Sequence, residues 1–346
     1  MIIEVLVAAA LGSVAVLLGG QFLLPILYQS GFVAQDINKK NRPILPASGG
    51  LVLTLGFFVG IMAILFSVNF IEADNINVEL LLITLISVIA ISFVGFLDDL
   101  LGSRVRTSKE DVKKIAKNYS FFNGGIKQWQ KPMLTLIAAV PLMVINWGAP
   151  VLNIPFIGNV AINQVIYTLI VIPLAVVFSS NVFNMLEGLN GISAQMGLVA
   201  FAALAIFSYH LQAYTGFAIA TVMSGALLAY LYYGSYPAKI LPGDSLTYLI
   251  GASFAATVIV GGMQILGVLL ILPWIAEFFL KARKRFHANS WGLIQKDGRL
   301  KSPHGDKIYS LTHIFLRTGR FKEWQIVALL TLVEVMVAGL SLAVLW

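Results

Sequence analysis

Four groups of polar residues have types and spacings suited to chemistry, and each stands beside a long apolar segment. The first is the acid pair Asp98-Asp99, at the end of an apolar run. Adjacent carboxylates at such a boundary are costly unless something pairs with them. They suit metal binding, general-base work or capture of a cation; two solvated acids closing a helix are the bland alternative. The second group is Asn181-Val-Phe-Asn184-Met-Leu-Glu187-Gly-Leu-Asn190-Gly191. Its polar side chains recur every third residue, so on a helix Asn181, Asn184 and Glu187 would share one side. Hard oxygens of this kind suit Mg²⁺, which uses few protein ligands and completes its shell with phosphate. A polar loop with an Asn-Gly turn is the alternative. The third is Asp244-Ser245 after Pro242-Gly243, either a metal ligand or an ordinary helix N-cap. The fourth is a set of cations and amides: Asp36, Asn38 and Lys39, then Lys131 behind Trp129-Gln130, then Lys281, Arg283, Lys284, Arg285, His287 and Asn289. Such cations suit phosphate, although the run Lys281 to Arg285 reads more simply as an anchor that fixes membrane orientation.

The elements that must position these residues are membrane-spanning helices. The chain has 346 residues, 58% hydrophobic and only 11% charged, where a soluble domain carries roughly 25% charged residues. The mean hydropathy is +0.87. A spanning helix needs about 20 mostly apolar residues. Ten segments meet that need, near 3–28, 48–70, 78–100, 132–149, 162–180, 191–209, 213–233, 244–260, 263–281 and 325–346. The first lacks a basic leader, has too long an apolar run and carries Glu4, so it reads as a retained helix rather than a signal peptide. The expected fold is therefore all-α: one polytopic membrane domain of about ten transmembrane helices.

Charge gives the orientation. All 23 Lys and Arg fall in or beside the loops 29–47, 101–131, 181–190, 234–243 and 282–324. The loops 71–77, 150–161, 210–212 and the turn near 261 have none. Basic residues stay on the cytoplasmic side, so both termini are expected outside and all four polar groups on the cytoplasmic face of a cell membrane. The net charge of +7 then reflects topology and attraction to anionic lipid or substrate, and nucleic acid is not an expected partner. The absence of cysteine excludes disulfides and thiolate metal sites.

Acids, amides and cations thus converge at one membrane surface. A secondary transporter would bury its ligands near the bilayer midplane, where Glu277 and Glu334 are the exceptions here. Phosphate-linked, Mg²⁺-assisted chemistry on a lipid is the better class; a cation-coupled transporter is the runner-up.

The motifs Gly95-Phe96-Leu97-Asp98-Asp99, Lys131, Asn181 to Gly191 and Gly243-Asp244-Ser245, together with the helix pattern, resemble the polyprenyl-phosphate N-acetylhexosamine-1-phosphate transferases, glycosyltransferase family 4. The likeness leans to the archaeal and eukaryotic dolichyl-phosphate branch. Asp36-Ile-Asn38-Lys39 is similar to that branch's Asp-Leu-Asn-Lys, Glu187 and Asn190 replace the two acids of the bacterial Asp-Gly-Leu-Asp-Gly, and there is no His-His-His run. A phospho-N-acetylmuramoyl-pentapeptide transferase-like enzyme is the alternative within the family. The resemblance implies transfer of N-acetylglucosamine-1-phosphate from UDP-N-acetylglucosamine to a polyprenyl or dolichyl phosphate, releasing UMP, with Mg²⁺ as cofactor and Mn²⁺ as a substitute. It implies Asn184 and Asp244 at the metal, Asp98 as base, Asp99 supporting it or the metal, and Lys131 on a phosphate. Lys39, Asn181, Glu187, Asn190, His287 and Asn289 are the implied substrate contacts. A homodimer is kept open. The chain departs from the family in the long loop between Asp99 and Lys131, and in lacking the eukaryotic Arg-His-Arg near His287-Ala-Asn289.

Overall fold

Backbone inside a bilayer must bond to itself, and apolar runs of this length do so as helices. The computed structural model describes residues 1–71, 75–102, 126–127, 129–144, 151–155 and 157–346. In chain order its helices are α1 (Ile2–Gln29), α2 (Gly50–Ile71), α3 (Val78–Gly102), α4 (Gln130–Val144), α5 (Gln164–Leu186), α6 (Ile192–His210), α7 (Tyr214–Gly234), α8 (Gly243–Val260), α9 (Gln264–Leu270), α10 (Leu272–Ala282), α11 (Leu311–Leu316) and α12 (Glu323–Leu345). Among the described residues eight are long and apolar enough to cross a membrane, or nine if α9 and α10 form one span bent by 53°. The bend falls at Ile271, two residues before Pro273, whose ring cannot continue a regular helix. A π turn at Tyr167–Val171 similarly precedes Pro173 in α5. Helix α4 is shorter, and the fourth segment expected over 132–149 runs on into residues outside the described ones. Most of the loop expected over 101–131 also lies outside them.

Among the described residues three short antiparallel hairpins add to the helical fold: β1 (Val33–Gln35) with β2 (Ile44–Pro46), β3 (Val151–Ile154) with β4 (Gly158–Ala161), and β5 (Leu293–Ile294) with β6 (Leu300–Lys301). In the first, Val33 faces Pro46, which leaves Asp36, Asn38 and Lys39 in its turn.

Helix α8 is the core of the bundle, buried along nearly all its length and packed on α2, α3, α5 and α7. Small residues let its neighbours approach backbone to backbone, the usual means of packing in lipid. A Cβ on Gly95 of α3 would lie 2.5 Å from the Asp244 carbonyl oxygen, and one on Gly251 would collide with the backbone of Ser179 in α5. Ser92 Oγ donates to the Ser245 carbonyl at 3.2 Å and lies 3.0 Å from Thr54 Oγ1, linking α2, α3 and α8.

The loops sort by end of the bundle. At one end Leu241 N–H donates to Pro46 O, Asn38 Nδ2 donates to Gly188 O, and Gly292 N–H donates to Asn38 Oδ1. These contacts join four of the basic loops. At the other end Asn77 N–H donates to Thr215 Oγ1, and His210 stacks on Trp346 with ring centroids 4.2 Å apart.

Candidate active site

The start of α8 organises the site. A helix N-terminus leaves backbone N–H groups without partners and attracts negative charge. Asp99 of α3 supplies both needs. Its Oδ1 accepts from Asp244 N–H at 2.6 Å, and its Oδ2 accepts from Ser245 N–H at 3.2 Å and Ser245 Oγ–H at 2.6 Å. Gly243 makes this approach feasible. Its φ is +70°, and a Cβ there would strike the Asp99 carboxylate. So the cap on α8 comes from a distant helix, since the N-cap residue itself is Pro242, whose side chain makes none. Asp99, expected to support Asp98 or a metal, instead spends both oxygens on the α8 terminus.

Capping in this way leaves the Asp244 carboxylate free to meet Lys131. The Lys131 ammonium, at the start of α4, lies 2.6 Å from Asp244 Oδ2 and 2.8 Å from Asp98 Oδ2. Asp98 Oδ1 also accepts the Ile126 N–H at 2.5 Å. The three side chains are only 15–20% exposed, so water screens them weakly. Three residues far apart in sequence therefore form one charged cluster, with two carboxylates sharing one ammonium.

A cavity of about 620 Å³ opens beside Lys131. Lys131, Asn181, Asn184, Tyr248, Lys281 and Asn289 are among its lining residues. Tyr248 stands one helical turn after Asp244, on the same face, and its hydroxyl donates to Asn181 Oδ1 at 3.3 Å. Pro132 and Val177 are shared with a second, apolar groove of about 340 Å³ between α4 and α5, walled by Met133, Leu136, Leu169, Ile170 and Leu174. The cavity that carries the polar groups thus runs into an apolar groove between α4 and α5.

Several expected site residues lie elsewhere. Glu187 does not share the face of Asn181 and Asn184, because α5 ends at Leu186 and Glu187 turns into extended backbone. Its carboxyl is pushed up to about 7 by burial, offset only in part by the hydroxyl and amide of Ser193 and the amide of Gly188. Lys39 pairs with Asp36 at 3.2 Å and with Glu323, and Asn190 donates to Asp36 Oδ2 at 2.9 Å while its N–H meets Glu323 Oε1 at 2.8 Å. Both belong to a buried cluster that ties the first hairpin to the start of α12. His287 is exposed and does not line the cavity. Asn289 does line it, and its segment is anchored by His313, whose Nδ1 accepts from Tyr309 N–H at 3.2 Å. Nε2 therefore carries the proton and donates to Asn289 O at 2.8 Å. Burial is the main reason that His313 is pushed down to about 4.

Two polar lining residues, Tyr248 and Lys281, were not assigned to the site from the sequence. Tyr248 is signalled by its i+4 spacing from Asp244. Lys281, read as an orientation anchor, is buried; its signal is Glu277 four residues earlier, 3.6 Å away.

Carboxylate and amide oxygens, as on Asp244 and Asn184, are the hard donors that Mg²⁺ selects. Among the described residues no three Asp, Glu, His or Cys side chains gather to hold a metal. A cation here would take one or two protein ligands and draw the rest from phosphate and water, which is the Mg²⁺ habit. The residues present fit that ion.

Comparison with known proteins agrees with this chemistry. The model of a family described as glycosyl transferase family 4 matches residues 81–262, just over half of the chain. A Saccharolobus solfataricus protein is 34% identical over 315 residues, 90% of this chain and 88% of its own length. A Sulfolobus acidocaldarius protein is 33% identical over 346 residues, 98% of this chain and 96% of its own. Both are provisionally named UDP-N-acetylglucosamine–dolichyl-phosphate N-acetylglucosaminephosphotransferase. A phospho-N-acetylmuramoyl-pentapeptide-transferase of Clostridium botulinum is 26% identical over 248 residues, 68% of this chain and 67% of its own.

Proposed function

Because the chain belongs to glycosyl transferase family 4, we propose that it transfers N-acetylglucosamine-1-phosphate from UDP-N-acetylglucosamine to a polyprenyl phosphate of the dolichyl type, releasing UMP. The transferase activity and both substrates are those named for the two archaeal relatives, which match nearly the whole chain. The observation that carries the reading is the Asp98–Lys131–Asp244 cluster at the junction of a cation-lined cavity and an apolar groove. A sugar nucleotide is polar and anionic, and a polyprenyl phosphate is apolar with one anionic end. Their reacting phosphates meet where the two spaces join.

Phosphoryl transfer needs positioning and charge neutralisation more than a strong base. A phosphate monoester is already largely dianionic near neutral pH, since its second pKa is about 6. In the proposed step an oxygen of the lipid phosphate attacks the sugar-linked phosphorus, and the bond from that phosphorus to the bridging oxygen of UMP breaks. Lys131 offsets the charge that the two substrates bring together. Asp98, held by Lys131 and Ile126 N–H, orients the acceptor phosphate or takes its last proton. Asp99 keeps α8 in register so that Asp244 faces Lys131. Asn181, Tyr248 and Asn289 bind the donor's polar groups. Asp244 and Asn184 would hold Mg²⁺, which when bound would supply charge stabilisation on phosphate oxygens, and Mn²⁺ would substitute for it.

The one-sided distribution of Lys and Arg supports a site on the cytoplasmic face of the membrane, with both termini outside. The reaction proposed does not call on a homodimer. The test is purified protein with UDP-N-acetylglucosamine, a panel of other UDP-sugars and polyprenyl phosphates, with mass spectrometry of the lipid. A lipid pyrophosphoryl-N-acetylglucosamine that forms only with divalent metal supports the reading. Preference for UDP-N-acetylmuramoyl-pentapeptide would move the chain to the bacterial activity. Asp244→Asn that keeps full turnover in EDTA would sink the metal assignment.

A further inference from the structure

The cavity beside Lys131 has a second ammonium on its wall, that of Lys281. A lysine at a membrane boundary normally extends its head toward water, yet this residue is only 8% exposed. Two contacts hold it inward. Its Nζ donates to the Met185 carbonyl, next to the lining residue Asn184. Its charge faces Glu277 Oε1 at 3.6 Å, beyond hydrogen-bond length.

Glu277 does not depend on Lys281 for its hydrogen bonds. The carboxylate is fully buried and accepts from Ser290 Oγ–H at 3.3 Å, Ser310 Oγ–H at 3.0 Å and Leu311 N–H at 2.7 Å. It therefore faces the ammonium with its charge at a distance longer than its own three hydrogen bonds. An ammonium has three donors, and among the described residues its one partner within hydrogen-bond length is Met185 O. The same carbonyl also accepts from Ser290 Oγ at 2.9 Å, so Lys281 and the segment carrying Asn289 share one anchor. Among the described residues that line the cavity, the charged ones are Lys131 and Lys281, with no carboxylate. Lys131 is already shared by two close carboxylates, whereas Lys281 faces one at a longer distance.

The two ammonium groups and neutral amides in this wall, set among apolar side chains such as Phe178 and Phe278, fit an anion with two neighbouring charges, such as a diphosphate. Lys131 stands next to Asp98 and to the mouth of the apolar groove, where the acceptor phosphate must arrive. The sugar-linked phosphate that is attacked belongs beside it. We propose that Lys281 binds the adjoining phosphate, the one that leaves on UMP, and so acts as a nucleotide-binding residue of this site. The assignment rests on the transferase reading above.

The test is competition of UMP and uridine against UDP-N-acetylglucosamine on purified full-length protein. It compares the wild type with Lys281→Met, Lys281→Arg and the double variant Glu277→Gln/Lys281→Met, which removes both buried charges together. Loss of a hydrogen bond to a charged phosphate should weaken UMP by about 10- to 100-fold in both Met variants. Uridine should bind as before, and the Arg variant should recover most of the loss. In turnover KM for the donor should rise by a similar factor while kcat changes only a few-fold. Wild-type affinity for UMP in the folded Met variants, or equal weakening of UMP and uridine, overturns the assignment and leaves the transferase reading intact. A wild type that forms lipid-linked sugar yet binds UMP no better than uridine also overturns it alone. A wild type with neither the activity nor a preference for UMP overturns both.

Discussion

Replacing Lys131 by Met keeps the length of the side chain and removes its charge. Two carboxylates, Asp244 at 2.6 Å and Asp98 at 2.8 Å, then lose their shared cation. Each is about four-fifths shielded from water, so solvent replaces the ammonium poorly. Removing one partner of a buried pair costs about 3–5 kcal/mol. Among the described residues Asp98 keeps the Ile126 N–H, and Asp244 loses its ion pair. Lys131→Met should therefore lower the melting temperature in detergent and slow turnover by about 10²- to 10³-fold, the scale for removing one group that stabilises transition-state charge. Asp98→Asn on the same background removes one of the stranded charges. The double variant should be more stable than the sum of the two single changes predicts, with a coupling of about 1–3 kcal/mol. The assay is thermal unfolding of the four proteins of the cycle, with UMP release measured in parallel. Additive stabilities, or wild-type turnover in Lys131→Met, would refute the shared-cation argument.

Asp98→Asn alone should slow UMP release by about 10²–10⁴-fold, partly relieved at higher pH where more acceptor is dianionic, with donor binding little changed; an unaltered rate near pH 6 would remove Asp98 from the acceptor's side. Direct attack needs both substrates bound, so enzyme with UDP-sugar but no lipid phosphate should release no UMP; stoichiometric release with phosphosugar left on the protein would favour a covalent route. His313 is held near 4, below the ordinary His value of about 6.5. The unfolded chain therefore binds more protons between about pH 4 and 6.5, and stability should fall as pH falls through that window, by about 3 kcal/mol at most. His313→Gln should flatten this slope in a melting series, and an unchanged slope would exclude His313 as its source. Cysteine placed at Asn159 in the β3–β4 hairpin should react with an impermeant reagent on intact cells, and cysteine at Asp297 in the β5–β6 turn should not; the chain has no native cysteine to interfere. The reverse pattern would invert the topology.

The apolar segments and the sorting of basic loops were legible in the sequence because both follow from one-dimensional patterns, hydropathy and charge. The assignment of roles within motifs was less so, because it depends on which way neighbouring side chains point. Asp98 and Asp99 are adjacent, but successive residues on a helix diverge. One meets Lys131 of α4 and the other caps α8, and only the packing of α3 decides which. Glu187 fits the every-third-residue pattern of Asn181 and Asn184, yet α5 stops one residue before it, and helix ends are the least legible feature of a sequence. Lys39 and Asn190 have the right chemistry for a substrate, but Asp36 and the distant Glu323 already occupy their polar groups. Lys281 was read from its run of basic neighbours; Glu277 one turn earlier turns it inward.

The central claim is that a sugar and its phosphate move together onto a lipid. UDP-N-acetylglucosamine labelled both in the sugar and in its β-phosphate separates this from every simpler transfer. Incubated with the purified protein, Mg²⁺ and polyprenyl phosphate, both labels should appear in the lipid fraction in equal amounts, with unlabelled UMP as the soluble product. Sugar label in the lipid with the β-phosphate left in soluble UDP would mean glycosyl transfer alone, and no label in the lipid would mean no transfer; either result would contradict the account.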